Sequence, residues 1–432
     1  MTERTASSNS NAYRWYALGV LILAYVLAFV DRQILNLLVQ PIKRDLGLSD
    51  IEISLLQGLS FALFLSVGGL PIGRLIDTRP RTRLLGVGVA VWSLASAGCG
   101  LARGYGQLLL CRIGVGVGEA TMTPSAYSLI GDYFPVRRQG LAMGLYSVGA
   151  YVGAGLALVI GAAVASRVPA EAVVPLVGTM HGWQLVFLLV GAPGLLVALW
   201  VASLREPVRS GAQPHVSLRE ALAWFRVRSR PLILVNLGVA FAAMAMYGLS
   251  AWAATFFLRR YGMTAADAGR TLGFIVMAAG GTGTLAAGLL GDRLTAAGRS
   301  DGRLRVMIAG AMLAMPFAVA APLAGSAPLS FALLVPTFLF LTLAIGSGPA
   351  TLQQITPSRM RGMQHALAVL AVNLIGLGLG PTAVALLTDR LLHDEARLGE
   401  ALAIALPVAL AVSCLCGLAA RAPYRRAVAD VA

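Results

Sequence analysis

The chain has 432 residues, of which 57% are hydrophobic and only 12% charged, about half the charged share usual for a soluble protein. An ordinary water-soluble chain is therefore excluded. The formal charge of +15 does not point to nucleic acid either, because no loop pairs clustered basic residues with stacking aromatics.

In chain order, a polar tail, "MTERTASSNSNAYR", comes first and is followed by no small-residue cleavage pattern, so no cleaved signal peptide is expected. Apolar runs then recur to the end, each long enough to cross a ~30 Å hydrocarbon core as a helix. Twelve spans are predicted near residues 15–38, 52–76, 84–102, 106–130, 140–165 and 184–203, then 232–258, 270–291, 304–324, 329–354, 362–388 and 400–420. The fold class is an all-α polytopic membrane protein, with twelve transmembrane helices in two six-helix bundles. Its expected parts are a tail (1–14), a first bundle (15–203), a linker (204–231), a second bundle (232–420) and a C-terminal tail (421–432). Within the linker, "SLREALAWF" has the pattern of a short surface helix.

Lysine and arginine concentrate in alternate connecting segments. That is the positive-inside pattern, and it predicts a cell (inner or plasma) membrane protein with both termini cytoplasmic. Cys99, Cys111, Cys414 and Cys416 all fall in spans and read as small apolar side chains. Neither a disulfide framework nor a metal site is indicated.

The halves echo each other. "GRLIDTRPRTRLL" from Gly73 and "GLLGDRLTAAGRSDGRL" from Gly288 both place Asp four residues after Gly; "FPVRRQG" and "TPSRMRG" both set Pro and Gly five apart. The offset from Gly73 to Gly288 nearly equals that from Pro135 to Pro357, close to half the chain in each case. Parallel repeats of this kind place a substrate site near the midplane.

These residues resemble the major facilitator superfamily. Gly73, Leu75, Asp77, Arg81 and Leu85 match its signature loop, with Thr78 and Pro80 in place of the usual Arg and Gly. "FVDRQILNLLVQPIKRDLGLSD", "PSAYSLIGDYFPVRRQGLAMGLYSVGAYVGAGL", "LSAWAATFFLRRYGM" and "NLIGLGLGP" resemble its spinster-type (Spns-like) branch of lysolipid and sphingolipid transporters. Ala254 stands where that type would carry proline, which leaves the bend of the seventh span open. The resemblance implies transport by alternating access, one pathway per chain, and a monomer.

Charges inside spans are costly, at least ~2.5–3.5 kcal/mol each at the helix centre. Away from the span ends four occur here, all in the first half: Asp31, Arg32, Arg112 and Glu119. Arg112 and Glu119 are seven residues apart, about 700° of rotation and about 20° short of two turns, so they share a face. Gly114, Gly116 and Gly118 leave the surface between them bare, and Asp31 is expected to reach in there, joining the first and fourth spans. Two readings compete. One is a static ion-pair cluster; the other is a proton-coupling site at Asp31 and Glu119, the acids that the spinster resemblance also implies. Arg32 and Arg112 would serve as charge partners or bind an anionic head group bidentately.

At the cytoplasmic ends, the superfamily resemblance implies that Gly73, Asp77 and Arg81 form a gate, with Asp132, Arg137 and Arg138 in the same network. Candidate cavity groups are Asn36, Tyr127, Tyr151, Tyr247, Trp252, Gln353, Gln354 and Asn373. Gly149, Gly153 and Gly155 suit close helix packing, and Gly380-Pro381 a bend in the eleventh span.

No phosphate loop accompanies the single lysine, Lys43, and the four histidines are scattered, so neither a nucleotide-driven pump nor an enzyme is expected. The reading is a secondary active transporter without cofactor, driven by a proton gradient. Its partners would be protons, membrane lipids and a small amphiphilic, anionic, lysophospholipid-like substrate, with no nucleic acid. The alternative is a passive facilitator, or a multidrug or organic-anion exporter of the same fold.

Overall fold

The structure is a computed structural model and describes residues 10–169, 171–174, 178–209, 224–357 and 360–430. Eleven helices among the described residues are long and apolar enough to cross a membrane. The fourth span is divided into Tyr105–Glu119 and Met122–Tyr133. Ala120 and Thr121, which join the two pieces, keep right-handed helical angles. The Ala120 amide still donates to the Gly116 carbonyl at 3.2 Å. The Thr121 amide donates to the Gly118 carbonyl, three residues back instead of four, at 3.2 Å, so the regular ladder is interrupted without the chain turning away. Exposed side chains such as Leu110, Leu196 and Leu199 lie on these helices, as expected where the neighbour is lipid.

The chain divides into two compact units. One comprises residues 1–48, 60–212 and 264–273, and the other 49–59, 213–263 and 274–432. The unit boundaries at 59/60 and 273/274 fall at or beside short π-helical turns, Leu55–Leu59 and Val276–Gly280. A widened turn of this kind re-aims the face of a helix without ending it.

The repeat is written into capping chemistry. Gly47 and Gly262, related by the same offset as Gly73 and Gly288, both take left-handed φ angles, 65° and 64°, and end a helix. Ser49 and Thr264 follow. Ser49 Oγ accepts from the Glu52 amide at 3.2 Å while Glu52 accepts from the Ser49 amide at 2.8 Å. At the equivalent place in the second half, Thr264 Oγ1 accepts from the Asp267 amide at 3.1 Å. A capping residue with an acid three positions on starts both helices.

In the first unit, strands β1 (Glu171–Val174) and β2 (Gly178–His181) pair antiparallel, with Glu171 opposite His181. In the second unit, the last helix runs Leu398–Ala429, past the expected end at 420. Tyr424 and Ala427 are buried, and that burial carries the helix into the supposed tail. The linker segment "SLREALAWF" lies largely outside the described residues. In the eleventh span, Gly380-Pro381 starts a new helical stretch just after the π-helical Val372–Leu379.

Candidate functional site

Asp31 and Arg32 lie in the uninterrupted helix Asn11–Leu37, which Ser10 caps by accepting from the Tyr13 amide at 3.2 Å. Asp31 is 2% exposed and accepts a 2.8 Å hydrogen bond from Ser96 Oγ in the third span. Arg32 forms an ion pair with the buried Glu119. Arg112 is fully buried and donates to the main-chain carbonyl of Asp31 at 3.4 Å. The four charged groups thus gather in one place, inside the first unit.

Their geometry departs from the expected one. The bare glycine surface receives the second and third spans instead of Asp31. A Cβ on Gly116 would stand 2.9 Å from the Phe61 carbonyl, and one on Gly118 would stand 2.7 Å from the Trp92 amide nitrogen. One on Gly114 would meet Ala95 Cβ at 3.0 Å. Asp31 reaches Ser96 on the neighbouring helix, and the first and fourth spans meet through their charged side chains. Spacing alone could not say which helix would fill the glycine surface.

Phe61 holds the centre. Its ring lies 4.7 Å from the Arg32 guanidinium carbon and 5.4 Å from that of Arg112. Phe29 contributes a second face to Arg32, at 4.9 Å. Desolvated cation–π contacts of this kind are worth up to ~2 kcal/mol or more, and they let guanidiniums rest in an apolar setting. From Phe29 the aromatic contacts continue to Tyr25 (5.1 Å), Tyr146 (4.4 Å, stacked) and Tyr127 (5.6 Å). Tyr25, Phe29, Arg32 and Asn36 recur every three or four residues, one face of the first helix.

Other candidates fall into two groups. Tyr127 is half-buried and shares a 3.1 Å hydrogen bond with Ser147; Tyr151, Tyr247 and Asn373 are also half-buried. Asn36 is buried and donates to Gln33. Trp252, by contrast, is fully buried with its indole N–H donating to the Pro381 carbonyl at 2.9 Å. It braces the seventh helix against the eleventh. Gln353 is exposed at the end of its helix. Gln354 donates to the Ser300 carbonyl at 3.2 Å and accepts from Tyr424 at 3.1 Å, so it ties helix ends together.

Of the expected gate residues, Gly73 sits in open surroundings, and the Asp77 side chain lies outside the described residues. Arg81 is the hub. It ion-pairs with Asp132, and with Glu206 at 2.7 Å, while also donating to Ser128 Oγ (2.8 Å) and the Pro207 carbonyl (3.1 Å). Arg138 donates to Asn11 at 3.0 Å, and Arg137 is exposed. Asp132 is thus paired with Arg81 at the start of the third helix.

Three participants carried no recognised signal: Phe61 and Glu206, already placed, and a second buried ion pair in the other unit. There Asp50, 0% exposed, accepts from Arg259 Nη1 and Nη2 at 2.7 and 2.8 Å. Arg259 also meets Glu395 at 2.9 Å. The Ser49-x-x-Glu52 capping pattern could have located the helix start that positions Asp50.

The Major Facilitator Superfamily profile matches residues 21–381. The chain belongs to the major facilitator superfamily. A crystal structure of a bacterial homologue of the human lysosomal transporter Spinster, inward-facing and unoccupied, is 29% identical over 98% of both chains, with a TM-score of 0.80. Its occupied form is 30% identical over 97% of both, with a TM-score of 0.79. An MFS-type efflux pump of Mycolicibacterium smegmatis is 27% identical over 97% of this chain and 95% of its own. A probable L-galactonate transporter of Escherichia coli is 33% identical over 42% of this chain and 37% of its own. This superfamily member is a multi-pass membrane transporter that resembles the Spinster type, and not an enzyme.

Proposed function

We propose that the protein is a proton-coupled transporter of a small amphiphile with an anionic head group, and that Asp31 and Glu119 carry the coupling. The observation that supports this reading is the buried cluster of Asp31, Arg32, Arg112 and Glu119 around Phe61. Two acids and two bases leave it formally neutral, the inexpensive state in a low-dielectric interior. An anionic head group arriving at Arg32 competes with Glu119 for the guanidinium. The cluster then carries one excess negative charge, and taking up one proton restores neutrality. The substrate raises the proton affinity of the acids, and by linkage a proton raises the affinity for substrate.

The aromatic run Phe29–Tyr25–Tyr146–Tyr127 beside Arg32 supplies an apolar wall for the tail. The lipid-like cargo is what the spinster-type resemblance of the sequence implies, and the likeness to a bacterial Spinster homologue supports that type. The full-length likeness to an MFS-type efflux pump favours a second reading, export of diverse organic anions by the same cluster. Alternating access, a monomer and cytoplasmic termini in the cell membrane belong to the same proposal.

The test uses purified protein in liposomes with an imposed pH gradient. Internal pH is followed while an anionic lysophospholipid, or its zwitterionic analogue of equal chain length, is added. Proton movement that needs the anionic head and is lost in Glu119→Gln or Asp31→Asn supports the proposal. Substrate flux that ignores the gradient and survives both substitutions overturns it in favour of a facilitator. Coupled flux of apolar-tail-free organic anions would favour the second reading.

A further inference from the structure

The second unit carries a basic cluster that the transport site does not use. Asp301, 1% exposed, precedes the helix Gly302–Ala320. Its carboxylate accepts from Arg305 Nε at 2.8 Å, Arg421 Nε at 3.3 Å and Arg425 at 2.9 and 3.0 Å. One carboxylate against three guanidiniums leaves a formal excess of two positive charges. The neighbouring acid Asp292 is itself engaged by Arg303 at 2.9 Å. Asp301 therefore holds the arginines in place without neutralising them. Their side chains remain 33%, 38% and 48% exposed, with N–H donors left for an outside acceptor.

The surface next to the arginines is apolar. Leu418 is three residues before Arg421 and seven before Arg425, so the three share one face of the last helix. Leu415 and Leu418 are 65% and 48% exposed. On the other helix Met312, two turns beyond Arg305, is 55% exposed. The two helices pack closely here: a Cβ on Gly417 would stand 2.6 Å from Ile308, and Cys414 Sγ lies 3.7 Å from the Ile308 carbonyl. An apolar seam thus ends in a preorganised cationic head, at the membrane-facing side of a spanning helix pair.

We infer that this seam binds an anionic phospholipid from the bilayer, its phosphodiester on Arg305, Arg421 and Arg425 and its acyl chains along Leu415, Leu418 and Met312. Guanidinium matches phosphate bidentately, and basic pockets between spanning helices suit anionic head groups. Scattered topological arginines would need no common buried carboxylate. Here one buried residue aims all three.

Native mass spectrometry of the full chain, released from micelles containing phosphatidylglycerol and phosphatidylcholine of equal acyl chains, tests the inference. Wild type should retain phosphatidylglycerol preferentially. The double substitution Arg421→Gln/Arg425→Gln should cut that preference about tenfold or more. Arg425→Lys, which keeps the charge and loses the fork, should cut it less and guards against a variant that fails to fold. Equal retention of both lipids by wild type overturns the inference, as does a preference unchanged in the folded variants. Inorganic phosphate alone matching the lipid in competition also overturns it, since the apolar seam would then play no part.

Discussion

Arg81 and Arg303 occupy equivalent places in the two halves and make the same hydrogen bond. Each donates from Nη1 to a main-chain carbonyl on another helix, Arg81 to Ser128 at 3.3 Å and Arg303 to Ala350 at 3.4 Å. The acceptors are equivalent too: Ser128 and Ala350 are related by the same offset as Arg81 and Arg303, and as Pro135 and Pro357. The two sites differ in their acids: Arg81 holds Asp132 and Glu206, whereas Arg303 holds the exposed Asp292.

That difference sets an expected asymmetry. Arg81 is 2% exposed, so Arg81→Gln strands two carboxylates and should destabilise the protein by about 3 kcal/mol. Arg303→Gln removes an exposed pair of ~0–1 kcal/mol and one carbonyl contact. Thermal unfolding in detergent should show a clear fall in Tm for the first and a small one for the second. Equal falls would show that the repeat, and not its acids, sets the stability.

The buried pair in the other unit makes a second prediction. Asp50→Ala leaves Arg259 beside Glu395 but without its bidentate partner, at a cost of about 3–5 kcal/mol for breaking a buried pair. Asp50→Asn keeps one acceptor oxygen and should cost less. Replacing Glu395, half-exposed at 54%, by Gln should matter least. The order is read from unfolding midpoints, and a Glu395→Gln effect as large as Asp50→Ala would move the anchor of Arg259 to the wrong acid.

How far the sequence discloses this architecture depends on what kind of signal carries each part. Apolar length marks eleven spans directly, and it marks the fourth as well; the break after Glu119 is invisible because Ala120 and Thr121 keep helical angles. The charges of the buried cluster around Phe61 are legible because each is costly in lipid. Their partners are less so. Phe61 reads as one more apolar residue, and only its position between two guanidiniums gives it a role. Glu206 lies in a polar loop, far along the chain from Arg81, with nothing local to mark it. Gln354 and Trp252 read as cavity groups because polar and aromatic side chains within spans have few obvious duties. The structure gives them helix-end and helix-packing bonds.

Asp301 provides a pH-dependent prediction. Burial alone would raise its carboxyl, but hydrogen bonds from Arg425 and Arg305 outweigh that and hold it below its ordinary value of 3.8. A carboxyl whose folded value is depressed stabilises the fold fully above the unfolded value. That contribution fades as pH falls below 3.8 toward the folded value. Wild type should therefore lose stability faster than Asp301→Asn on acidification through that window, while remaining the more stable at neutral pH. Parallel curves for the two proteins would remove Asp301 from the balance.

The three glycines of the fourth span should respond to a methyl group in a graded way. On Gly118 it would meet backbone, the Trp92 amide at 2.7 Å and the Gly88 carbonyl at 2.8 Å, neither of which can step aside alone. On Gly116 it would press on the Phe61 carbonyl at 2.9 Å. On Gly114 it would touch only Ala95 Cβ at 3.0 Å. Overpacking costs ~1–3 kcal/mol, so Gly118→Ala should approach the upper end and Gly114→Ala the lower. Gly116→Ala is expected to separate stability from activity, because moving the Phe61 backbone disturbs the ring that Arg32 and Arg112 share. Its transport rate at a fixed pH gradient should fall further than that of Gly118→Ala, although its unfolding midpoint falls less. If the rates simply follow the midpoints, Phe61 is packing alone, and the two guanidiniums keep their places without it.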